Sequence, residues 1–110
     1  MIASDVIDLV REEVNDTIKD YRFSDAEMLS ALTDATRELA QDRPDLLLDA
    51  TGSYNTVVDV TATNQTLIFD DNQRQSLMHY TCYRIFSKDS EDDQNLVLSR
   101  NHLSLYNQRI

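Results

Sequence analysis

A chain of 110 residues with 41% apolar and 27% charged side chains has room for one core, and its composition lies far from that of disordered tails or membrane proteins. Twenty acidic side chains against ten basic ones leave a formal net charge of −10, so free nucleic acid is repelled. The single cysteine, Cys82, excludes an intrachain disulfide and a cysteine-built zinc site, and the single glycine, Gly52, excludes phosphate-cradling fingerprints, which need several.

The choice of charged residue is also informative. Fifteen Asp against five Glu, and eight Arg against two Lys, match proteins that work in concentrated salt, where screening makes a dense carboxylate surface tolerable. No stretch reaches the roughly 20 apolar residues that cross a bilayer. The opening Met1-Ile2-Ala3-Ser4-Asp5 has no basic region before an apolar one, so no secretion signal is expected.

In chain order, Ser4 reads as an N-cap, with Asp5 and Asp8 favoured by the positive end of the helix dipole. Ile7, Val10 and Val14 then share one face while Arg11, Glu12 and Glu13 point elsewhere, which predicts a helix over about 5–15 that ends near Asn15-Asp16. Phe23-Ser24-Asp25-Ala26-Glu27-Met28 combines a capping box with a hydrophobic staple. A second helix follows over about 25–42, its apolar face running through Met28, Leu32, Ala35 and Leu39 and its end set by Pro44.

Tyr54 to Val60 and Gln65 to Phe69 are rich in β-branched and aromatic residues around the turn-like Thr61-Ala62-Thr63-Asn64, which predicts a β-hairpin over about 54–69. Asp70-Asp71-Asn72 offers a cap for a third helix over about 72–88, carrying Leu77, Met78, Cys82, Ile85 and Phe86. Ser90 with Glu91, Asp92 and Asp93 opens a fourth over about 91–108, with Leu96, Leu103, Tyr106 and Ile110 as its seam. The expected fold is mainly α: a single domain over 1–110, a small bundle of four helices with one β-hairpin inserted between the second and third.

Few residues suggest chemistry. His79 and Cys82 share a helix face and form a possible thiolate and base, but no orienting group stands at a readable spacing. They read as a core cysteine with a histidine at its margin, and His102 reads as a lone surface or interface histidine. Asp89, Glu91, Asp92 and Asp93 lack the glycine and alternating ligands of a calcium loop and suit a helix start, as does the pair Asp70-Asp71. The arginines are spread along the chain with no basic patch. No catalytic, cofactor-binding or metal-binding residue is expected, and the chain does not read as an enzyme.

Two stretches carry a family resemblance. Phe23-Ser24-Asp25-Ala26-Glu27-Met28-Leu29, continuing through Leu32-Thr33-Asp34-Ala35-Thr36-Arg37-Glu38-Leu39, resembles the first half of the head-to-tail adaptor (connector) proteins of tailed phages and related archaeal tailed viruses. Val6-Ile7, Val10-Arg11 and Asn15-Asp16 fit their short first helix. His79-Tyr80, Tyr83-Arg84 and Lys88-Asp89-Ser90-Glu91-Asp92 are similar to their third helix and the acidic entry to their last.

The resemblance implies a virion protein assembled in the host cytoplasm. Its place is the neck, in a homo-oligomeric ring of about twelve copies between the portal protein and a tail-side stopper or tail protein. DNA passes through the bore without specific binding, and no membrane or cofactor is involved. Relatives use their C-terminal ends to reach the portal. Here Leu105, Tyr106 and Ile110 recur at helical spacing up to the last residue with no C-capping glycine, and are the portal-interface candidates. The competing reading is an acidic partner-binding regulator, a DNA mimic or antitoxin-like protein, which would space carboxylates like phosphates along one face.

Overall fold

Ser24 caps the start of the longest helix. Ser24 Oγ accepts the Glu27 amide at 3.1 Å, and α2 runs Asp25–Asp42 until Pro44 opens a 3-10 turn, Pro44–Leu47. The computed structural model describes residues 1–14, 23–88 and 93–110. Within them α1 spans Ala3–Glu13, α3 Arg74–Lys88 after a 3-10 turn at Asp71–Gln73, and α4 Asp93–Arg109. The expected end of the first helix at Asn15-Asp16 and the acidic run Asp89 to Asp92 lie outside the described residues.

α1 starts earlier than its apparent cap. Ile2, not Ser4, is the N-cap: Asp5 Oδ2 accepts the Ile2 amide at 2.9 Å, while the Ser4 amide bonds to the Thr63 carbonyl at 2.8 Å from inside the helix. A second correction concerns Arg11, expected to face solvent but only 5% exposed. Its Nη1 donates to the Phe23 carbonyl and its Nη2 to Asp25 Oδ1, each at 2.9 Å, tying α1 to the start of α2. A guanidinium can be buried in this way because its fork places donors on two acceptors at once.

The expected hairpin is absent. Among the described residues there is no β-strand, only isolated bridges between Ile2 and Thr66 and between Leu48 and Tyr54. The reason lies in where the backbone groups find partners. The carbonyls of Thr63 and Gln65 accept from Ser4 and Ala3, and the Leu67 amide donates to the Met1 carbonyl, so the second run caps α1. Val60 bonds through both its amide and its carbonyl to Thr33 Oγ1 on α2, and the Gln65 side chain folds back onto the Thr61 amide and the Asp59 carbonyl. Once these bonds are made, the two runs have few groups left to exchange with each other. The bundle is therefore mainly α with an irregular connection from 48 to 70.

α3 packs against α1, α2 and α4. Met28, Leu32, Leu39, Leu77, Ile85 and Phe86 are all buried, and Val60, Leu67 and Phe69 from the irregular connection join the same core. Asp70 Oδ1 accepts the Asn72 amide at 3.0 Å, so this acid acts as a cap.

Two substitutions read by chemical denaturation test this arrangement. Leu32→Ala should cost about 2 to 5 kcal/mol as a large-to-small core change. Arg11→Ala should cost about 1 to 3 kcal/mol because it removes a buried hydrogen bond from a charged donor, whereas Asp25→Ala, at the exposed end of the same pair, should cost under about 1 kcal/mol.

Candidate functional site

α4 is the element on which the candidate residues fall, and its two sides differ in chemistry. Among its described side chains the buried ones are Ser99, His102 and Tyr106, at helical spacings of three and four and none of them aliphatic. Opposite them on α3 stand His79, Tyr83 and Ser87, each four residues from the next. Ser99 Oγ lies 2.6 Å from Ser87 Oγ and donates to the Tyr83 carbonyl at 3.0 Å. His102 Nδ1 meets His79 Nδ1 at 3.1 Å. The Tyr106 hydroxyl donates to Asp42 Oδ2 on α2 at 2.8 Å, and its ring sits edge-on to Tyr80 with centroids 5.0 Å apart.

This seam differs from the expected one. Of Leu96, Leu103, Tyr106 and Ile110, only Tyr106 is buried; Leu96 and Leu103 are half-buried and Ile110 is exposed. Among the three portal-interface candidates, Leu105 and Ile110 lie on the surface, 41% and 36% exposed, and Tyr106 is 1% exposed within the seam. Burial, then the Asp42 carboxylate at its hydroxyl, push the Tyr106 phenol above its ordinary range. It stays neutral and holds its bond at any working pH.

His102 is not alone either: it is 7% exposed, stacked on Phe86 and paired with His79. Its Nε2 lies 3.9 Å from Glu13 Oε2 on α1. The spacing of His79, Tyr83 and Ser87 marked one polar stripe on α3, but which residues would meet it depends on how α4 docks. Cys82 is fully buried with its thiol 3.7 Å from Met78 Sδ, and burial pushes the thiol well above its usual range. A protonated thiol turned to a thioether is no nucleophile. No group of three or more potential metal ligands occurs among the described residues.

α4 exposes Val97 (55%), Leu105, Arg100, Ser104 and Arg109, and the exposed Ile110 follows its end. All 20 acidic residues lie within 1–93, and from 94 onward the only charged side chains are Arg100 and Arg109. Exposed aliphatics and positive charge thus occur together on α4, in a chain that is acidic elsewhere. No helix among the described residues is long and apolar enough to cross a membrane. No family model, curated protein or solved structure matches the chain.

The weight of the seam on Tyr106 is open to test by melting experiments. Tyr106→Phe should cost about 1 kcal/mol for one lost hydrogen bond, and Tyr106→Ala about 3 to 5 kcal/mol for the emptied volume.

Proposed function

We propose that this chain is a structural subunit of the neck of a tailed virus, in a ring that joins the portal to the tail and lets the genome pass. The observation that carries the reading is the division of charge. From residue 94 onward the chain carries no acid, and this stretch, exposing Val97, Leu105 and Ile110 with Arg100 and Arg109, is suited to dock on an apolar partner surface with an acidic rim. In this reading Leu105 and Ile110 contact the portal while Tyr106 anchors the helix from behind. The remaining surface, rich in Asp, presents DNA with nothing to grip, as a bore requires.

The placement of the acids supports an adaptor over a DNA mimic. Asp5, Asp49 and Asp70 accept local backbone amides, and Asp25, Asp34, Asp45 and Asp59 pair with arginines of the same chain. Carboxylates with local tasks do not need a phosphate-like array to explain them.

The test is a paired substitution and a salt series. Leu105→Asp with Ile110→Asp should leave helicity and melting unchanged, because both side chains are exposed, and abolish attachment to portal rings in a pull-down. Wild-type binding by that folded variant would overturn the docking surface. Assembly should also weaken between about 2 M and about 0.1 M salt, as the screening length grows from under about 3 Å to about 10 Å and acidic neighbours repel. Unchanged assembly across that range would refute adaptation to concentrated salt.

A further inference from the structure

Two neutral imidazoles that meet nitrogen to nitrogen must divide the roles of donor and acceptor. His79 on α3 and His102 on α4 do so at 3.1 Å, with ring centroids 5.4 Å apart. That separation is the nitrogen gap plus about one ring radius on each side, so the two Nδ1 atoms face each other along nearly one line. A shared metal ion would need both lone pairs to converge at a point off that line. The geometry is that of an N–H···N hydrogen bond. Phe86 stacks on His102 with centroids 5.7 Å apart and covers one face of the pair.

The other members of the seam do not titrate near neutral pH. Ser99 and Ser87 carry no charge, and Tyr106 stays protonated. One proton added to the histidine pair can be shared between the facing nitrogens. A second leaves two N–H donors opposed at hydrogen-bond distance with no acceptor between them, and two positive charges beside it.

We propose that the His79–His102 pair is an acid-sensitive latch on α4, closed while it holds at most one added proton and opened by the second, which frees α4 from α3. The proposal deepens the neck-ring reading, since α4 is the docking helix there, but the latch itself is a property of the isolated subunit.

The surroundings set the pH at which it opens. Burial pushes both imidazoles below the usual histidine range; for His79 the neighbouring His102 and then Arg109 on α4 add to this, and Glu13 on α1 opposes it at both rings. No charged group of α2 acts on either ring among the described residues. Because the folded-state values lie below the unfolded one of about 6.5, the pair's contribution is fully present above that pH and is lost as pH falls through the folded values. The latch should therefore open only below about pH 6.5.

The test is a pH titration of the full chain by NMR at fixed salt, following the imidazole carbon-bound protons and the amides of residues 95–110. The pair should titrate in two steps as a unit, and the α4 amides should lose their folded positions with the second step while core amides such as Leu32 keep theirs. His79→Asn keeps a hydrogen-bonding side chain opposite His102 but removes one titrating group. Opening in that variant should lose about one proton of dependence, about tenfold less change per pH unit. Glu13→Gln alters only an exposed side chain, and should move the opening to higher pH, because it removes a carboxylate that stabilises the charged rings in the closed state. Two results would overturn the latch: α4 amides unmoved while both imidazoles titrate, or both variants opening as the wild type does. A latch that fails while the subunit still docks on portals would leave the neck-ring reading standing.

Discussion

Helix α3 meets every other helix of the chain, and this demands two chemistries from 15 residues. Leu77, Met78, Cys82 and Ile85 are buried in the apolar core. His79, Tyr83 and Ser87 present imidazole, carbonyl and hydroxyl to α4. The first stripe gives the bundle its non-directional cohesion, which scales with the apolar area removed from water. The second is directional and holds one helix in one register through a few bonds.

The same division explains how an acidic chain is kept together. A formal charge of −10 on 110 residues opposes compaction, and the structure answers it locally. Arg11 reaches from the core to Asp25, Arg84 pairs with Asp34, Arg37 with Asp59 and Arg43 with Asp45. The exposed pairs stabilise little individually in water, but each one lowers the density of uncompensated carboxylate near α2. Among the described residues, Arg100 and Arg109 of α4 join no such pair.

Much of the helical plan was legible because its causes are local. Ser24 and Glu27 lie three residues apart, so the Ser24 hydroxyl caps the Glu27 amide wherever the chain goes, and Met28, Leu32 and Leu39 mark a face by period alone. What was not legible depends on which distant groups a residue meets. Tyr54 to Phe69 has the composition of two strands, yet its backbone is used by α1 and by Thr33, twenty-seven residues from Val60. Arg11 looked solvent-facing because its acceptors, Phe23 and Asp25, lie more than a helix away in sequence. In the candidate site, Tyr106 was grouped with Leu105 and Ile110, although it is buried and its hydroxyl finds Asp42 sixty-four residues away. The pairing of His79 with His102 had no signal in either helix alone.

A joining role for α4 is most directly tested by sedimentation velocity of the purified chain mixed with portal rings in about 2 M salt, where only groups in contact still feel each other's charge. The account predicts that the chain leaves its slow boundary and moves with the portal at about one copy per portal subunit. A chain that stays at the boundary of a monomer or dimer at every portal concentration would contradict it.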